Sequence, residues 1–201
     1  LYKFSVWAHN GLYKLIKLAL AKCQLQRSRD SLTVFPMKQV YLDTFGCQMN
    51  VADTDRMELI LFHSGYRRTL EKEDADLILV NTCSIREKAE QKTFSLFGGL
   101  KPLKMANPDL ILGLTGCLGQ QDGKKLLQRM PYLDFVMGPD QVEGIAQAVD
   151  RVRSASKSFV WTGFDHEKVY SIPELAGDLP KAPGPSAFVN IIKGCDKFCT
   201  F

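Results

Sequence analysis

No apolar run in this 201-residue sequence approaches the roughly 20 residues a helix needs to cross a bilayer. The longest candidate, around Leu15 to Leu20, is broken by Lys17, so a membrane span is excluded and no membrane partner is expected. A secretory leader with an apolar centre and a small-residue cleavage site is also lacking. So is any closely spaced cysteine ladder. The six cysteines, Cys23, Cys47, Cys83, Cys117, Cys195 and Cys199, are mostly far apart, which argues against a disulfide framework and for buried thiols, metal ligands or catalysis. Charge of one sign is missing from most of the chain. Residues 1–36 carry six bases against one acid, a net of +5; set against the total of +4, that leaves the other 165 residues at −1. The charge balance of the folded part therefore offers no basic face for nucleic acid.

What is present has the profile of a soluble globular protein, 45% hydrophobic and 24% charged. Residues 1–36 form a basic extension apart from the fold. Leu12, Leu15, Ile16, Ala19 and Leu20 fall at helical spacing there, which fits an organelle transit peptide, an upstream translation ahead of a start at Met37, or a variable surface extension. From Gln39 onward, short apolar runs alternate with longer amphipathic stretches, the signature of consecutive βα units and a parallel sheet. The strands are expected at Val40–Leu42, Leu77–Val80, Leu110–Leu114 and Phe135–Met137, with Ser158–Trp161 a candidate fifth. Helices are expected over Thr54–Ser64, from Ile85 to about Leu100, over Gln120–Met130 and over Gln141–Val152. Asp53 or Thr54 would cap the first and Gly65 would follow its end. The α/β domain spans 37–153. Proline and glycine then accumulate through 154–186, a linker, and the apolar run Ala187–Ile192 opens a second unit over 187–201.

Cys47, Cys83 and Cys117 each come just after one of the first three expected strands, 36 and 34 residues apart. In a parallel sheet such positions converge on one edge, where open α/β sheets place their sites. A lone cysteine after a buried strand is more often a small core residue; three at the same topological position are much harder to explain that way. Three thiolates suit a four-iron cluster with one iron left for a non-protein ligand. A structural zinc would want a fourth ligand, and His63 lies toward the far end of a helix. Gly46 and Gly116 would let the backbone pass close to the cluster, and helix N-termini would favour its negative charge. Cys23, alone in the basic extension, reads as structural or incidental.

Cys195 and Cys199, with two residues after them, resemble the radical S-adenosylmethionine motif CxxxCxxC, short of a third cysteine immediately beyond Phe201. Thr44–Asn50, Asn81–Ala89 and Thr115–Cys117 resemble the N-terminal domain of the methylthiotransferase family. Cys47-Gln48-Met49-Asn50 and Ser84–Ala89 are closest to the branch acting on N6-dimethylallyladenosine in tRNA, and Gln48 and Met49 discriminate it from the ribosomal-protein and threonylcarbamoyladenosine branches.

The resemblance implies a Rossmann-like N-terminal methylthiotransferase domain, a linker, and the first strand of a truncated radical-SAM barrel. It implies two 4Fe-4S clusters and S-adenosylmethionine: an auxiliary cluster on Cys47, Cys83 and Cys117, and a radical-SAM cluster on Cys195, Cys199 and the absent third cysteine. The implied reaction inserts sulfur and a methyl group at C2 of the isopentenylated adenine next to the anticodon. The implied partners are tRNA, an electron donor such as flavodoxin or ferredoxin, and a sulfur donor, with a cytoplasmic location and a monomeric state. Without most of the radical domain and the RNA-binding domain, the chain is expected to be inactive alone. The alternatives are the same chemistry on a ribosomal-protein aspartate or on threonylcarbamoyladenosine, and an α/β domain that holds a metal cluster for structure only.

Overall fold

The computed structural model describes residues 37–84, 87–155 and 157–164. The basic extension, the greater part of the linker, Cys23, Cys195 and Cys199 lie outside the described residues.

Chain order sets the architecture. β1 (Lys38–Phe45) leads to α1 (Gln48–His63), then β2 (Tyr66–Thr69), a 3-10 turn at Lys72–Asp74 and β3 (Leu77–Thr82). α2 (Glu87–Ala106), β4 (Ile111–Gly116) and α3 (Cys117–Arg129) follow, then β5 (Phe135–Met137), a 3-10 turn at Pro139–Gly144, α4 (Ile145–Ala155) and β6 (Phe159–Trp161). The strands form one sheet in the order β2-β1-β3-β4-β5-β6, and every pair is parallel. This is the parallel α/β sheet that the alternating pattern predicts.

Why these segments are strands is clearest at the centre. All six residues of β3 and all six of β4 are buried, as expected for strands covered by helices on both faces. Their side chains alternate between two cores. Leu77, Leu79 and Ile111 pack with Met57 and Leu61 of α1 and with Ile145, Val149 and Val152 of α4. Ile78, Val80, Leu112 and Leu114 pack with Phe97 and Leu100 of α2 and with Leu118 and Leu126 of α3. The result is three layers, helix over sheet over helix.

Three features differ from the sequence reading. First, β2 was not expected. Its four residues, Tyr-Arg-Arg-Thr, are buried only at Tyr66, and a polar edge strand carries no apolar run to betray it. Its shortness also explains the tight return to β3. β2 ends beside Tyr41 while β3 begins beside Val40, so residues 70–76 need regain little length. Second, α1 begins at Gln48, and Asp53 and Thr54 are buried inside it rather than capping it. Its first two turns set Asn50, Asp53 and Thr54 against the protein interior, so no apolar stripe marks them. Third, α4 and β6 carry the domain past residue 153 into the stretch read as linker, with Phe159, Val160 and Trp161 paired to β5. Gly65, with φ of 86°, does close the first helix as expected.

The end of the sheet away from the cysteines is fastened by a single lysine. Lys104 Nζ near the end of α2 donates to the carbonyls of Pro108 and Leu110 and to both carboxylate oxygens of Asp134, at 3.0 and 2.8 Å. Asp134 also accepts the backbone N–H of Leu112 at 2.7 Å. Lys104→Ala leaves two carbonyls and a carboxylate without this cation in a largely buried position. We expect it to cost about 2–3 kcal/mol in urea unfolding of the full chain; a loss under about 0.5 kcal/mol would show that solvent replaces the lysine freely.

Candidate metal centre

The chain leaves β1, runs outward to β2, and returns across β1 to form β3. The strand order therefore reverses between β1 and β3, and open α/β sheets bind their ligands outside the carboxyl ends of the strands at such a point. Cys47 follows β1 and Cys83 follows β3. Cys117 follows β4, the next strand over, as the first residue of α3.

Register brings the three turns level. Phe45 pairs with Thr82 and Thr82 with Gly116, so Cys83 and Cys117 each directly follow aligned residues, and Cys47 lies two past its own. The backbone N–H of Cys83 donates to the carbonyl of Phe45 at 2.9 Å, which locks the first two turns together. Cys83 is buried, Cys47 and Cys117 are half-buried, and all three are free thiols. Burial pushes the Cys117 thiol above its usual range near 9.0, with the Cys83 and Cys47 thiols and the Asp53 carboxylate adding in the same direction.

Among the described residues, no three His, Cys, Asp or Glu side chains lie close enough together to grip one metal ion. A single tetrahedral ion draws its thiolates to within about 4 Å of one another. A four-iron cluster takes a thiolate at each iron and spreads them over a larger body. The all-thiol donor set at the mouths of α1 and α3 fits that group, whose negative charge the N-terminal amides favour.

Beneath the cysteines lies a row of polar residues that the motifs contain but to which the sequence assigns no role. Thr44, Asn81 and Thr115 are aligned across β1, β3 and β4. Asn50 and Asn81 are 2% and 1% exposed. Asn50 Nδ2 donates to Asn81 Oδ1 at 3.0 Å, and Asn81 Nδ2 donates to the Asn50 carbonyl at 2.8 Å and to Thr54 Oγ1 at 3.1 Å. Thr54 and Thr44 share a hydroxyl hydrogen bond of 2.8 Å. Asn50 Oδ1 in turn accepts the backbone N–H of Cys47 at 3.2 Å and its thiol at 3.3 Å. Thr93 on α2 donates to Thr82 Oγ1 at 2.9 Å. The signal was available: buried strands that end in Asn-Thr or Thr-Gly after pure apolar runs carry polar groups that need partners. Gln48 and Met49 are exposed on the first turn of α1 beside Cys47.

Gly46 and Gly116 each stand against a neighbouring side chain. A Cβ on Gly46 would run into Asn50 Oδ1 and lie 3.0 Å from the Cβ of Cys83. A Cβ on Gly116, where φ is 97°, would run into Asn81 Oδ1 and lie 2.5 Å from the Thr82 carbonyl. Each glycine makes room for an asparagine side chain.

Fold and site together define a doubly wound α/β domain with a thiol at the end of each of three neighbouring strands. Residues 39–138 match the family described as uncharacterized protein family UPF0004. The chain is 43% identical over 166 residues to a tRNA-2-methylthio-N(6)-dimethylallyladenosine synthase of Ectopseudomonas mendocina (strain ymp), covering 82% of this chain and 36% of that one. The synthase of the same name from Yersinia pestis (strain Pestoides F) is 43% identical over 166 residues, 82% of this chain and 34% of its own. The chain belongs to the methylthiotransferase family that its motifs resemble, and it spans about a third of the length of these curated relatives.

Proposed function

We propose that this chain is the auxiliary-cluster part of a tRNA methylthiotransferase that places sulfur and a methyl group at C2 of N6-dimethylallyladenosine next to the anticodon. The observation that carries the reading is the level alignment of Cys47, Cys83 and Cys117 at the switch point of the sheet, in a chain whose relatives bear the name of that synthase. Cys47, Cys83 and Cys117 would hold a four-iron cluster by three thiolates. That group, when bound, would supply sulfur at the iron the protein leaves free.

The chain's own residues set the conditions. Cys83 is buried and its turn is hydrogen-bonded to that of Cys47, so two ligands would be held in mutually bonded turns at the edge of the sheet. The apolar cores on both faces of the sheet keep water from the strands that carry the site. Gln48 and Met49 stand on the open side of the Cys47 turn, where a substrate or the radical domain would approach. Cys195 and Cys199 would bind a second cluster that takes S-adenosylmethionine, with radical-SAM chemistry following from it. On this reading the partners are tRNA, an electron donor such as flavodoxin or ferredoxin, and a sulfur donor, in the cytoplasm. Among the described residues no helix is long and apolar enough to cross a membrane.

Disrupting the gene and measuring modified nucleosides in bulk tRNA by mass spectrometry tests the substrate. The 2-methylthio form of dimethylallyladenosine should vanish while the unthiolated nucleoside accumulates. Undiminished 2-methylthio nucleoside would exclude this substrate.

A further inference from the structure

The three cysteine turns are tied together by two asparagines, neither of which is placed to be a ligand. Asn50 sits one turn into α1 and folds back over the Cys47 turn, accepting the Cys47 backbone N–H. Its carbonyl oxygen fills the space over Gly46 that any larger residue would occupy. Its amide nitrogen reaches β3 and donates to Asn81. Asn81 stands two residues before Cys83, and its own carbonyl oxygen fills the corresponding space over Gly116, beside the Cys117 turn. Its amide nitrogen returns to the Asn50 carbonyl and to Thr54. Two side-chain amides thus span Cys47, Cys83 and Cys117, and both are almost fully buried.

Packing alone does not call for this arrangement. The four residues of β3 before Asn81 are all Leu, Ile or Val, and burying two amides is unfavourable unless their donors and acceptors are met. Here the acceptor and donor of each amide are engaged, so the pair has one defined arrangement, whereas apolar side chains could repack. Buried polar pairs of this kind fix register and spacing more than they add stability.

We propose that Asn50 and Asn81 are positioning residues that set the spacing of the three thiols before any cluster is bound, with Gly46 and Gly116 shaped to admit them. The proposal rests on the metal-centre reading above and deepens it. The asparagines act through the cysteine turns. Without them the turns stay attached to a folded sheet and the Cys83 N–H still reaches the Phe45 carbonyl, but the side-chain tie between the Cys47 turn and β3 is lost.

The test is anaerobic reconstitution of the full chain with ferrous iron and sulfide, read as iron per folded chain and as the electron paramagnetic resonance spectrum of the reduced cluster. Asn81→Ala breaks the pair directly. Gly46→Ala displaces Asn50 without altering either asparagine, and keeps the proposal testable should Asn81→Ala fold poorly. Leu61→Ala, a core truncation far from the pair, reports what mere weakening of the fold does. Both site variants are expected to bind iron roughly 10- to 100-fold more weakly, the range found when groups that orient metal ligands are removed. Their spectra should shift and broaden, while Leu61→Ala, once folded, matches the parent. Parent-like loading and spectra in Asn81→Ala and Gly46→Ala, with Cys47→Ala empty, would overturn the positioning role alone. The same loss in Leu61→Ala would also overturn it. Full iron in Cys47→Ala would overturn the metal centre and the positioning role together.

Discussion

Replacing Cys117 with alanine is expected to remove the iron centre from the reconstituted chain while leaving the sheet folded. The thiol is half-buried at the first position of α3 and belongs to neither apolar core, so losing its sulfur should cost about 1 kcal/mol or less in stability. On the proposed reading it is one of three thiolates for four irons, and among the described residues Cys47 and Cys83 are its only fellow cysteines. Among the described residues the acid closest to it in effect is Asp53, a hard oxygen donor buried on α1, and soft thiolates are what iron-sulfur clusters select. Iron analysis and the visible absorption of the anaerobically reconstituted chain should both fall to background in Cys117→Ala. The circular dichroism spectrum and unfolding midpoint should change little. A variant that keeps its iron would show that the cluster is held elsewhere; one that loses iron and fold together would make Cys117 a core residue.

The second large effect is expected at Gly116, and its size is decided by the surroundings rather than the backbone angle alone. Gly116 and Gly65 both have positive φ, 97° and 86°, and Gly116, with ψ of −166°, lies in a region that is essentially glycine's alone. Around Gly65 nothing lies within 4 Å of the added atom. Around Gly116 the atom meets Asn81 Oδ1 and, at 2.5 and 3.0 Å, the carbonyl oxygen and nitrogen of Thr82. The Thr82 atoms belong to the sheet backbone and cannot swing aside. Gly65→Ala should therefore cost about 1 kcal/mol in urea unfolding, and Gly116→Ala about 3–5 kcal/mol once overpacking of the backbone is added. Equal losses at the two sites would mean that the Cys117 turn relaxes away from β3, and with it the alignment of the thiols.

The legibility of the fold followed burial. β3 and β4 are buried on both faces and read as unbroken apolar runs, so they were visible; β1 and β5 needed only Val40, Leu42 and Phe135 to be found. β2 was invisible because an edge strand bonded on one side is free to be polar, and Arg67 and Arg68 make it so. The start of α1 was hidden for a related reason. Asn50, Asp53 and Thr54 turn polar groups toward other polar groups, and a helix that buries hydrogen bonds shows no apolar stripe. The cysteines were found because their type is rare and their spacing repeats. Asn50 and Asn81 were quoted as part of the family motifs without being given a task, since nothing local tells that residues 31 positions apart share two hydrogen bonds.

The sequence by itself determined that the sheet is parallel, because alternating short apolar and long amphipathic segments leave no other way to join strands. It also determined that three thiols each follow an apolar strand, although the structure inserts β2 between the first two, so that they follow β1, β3 and β4 rather than the first three strands. Only the tertiary structure decided which strands are neighbours. Inserting β2 at the edge puts the reversal of strand order between β1 and β3, so Cys47 and Cys83 flank the crevice. Strand order and the asparagine tie rest on contacts between residues distant in the chain, and local pattern carries no information about those.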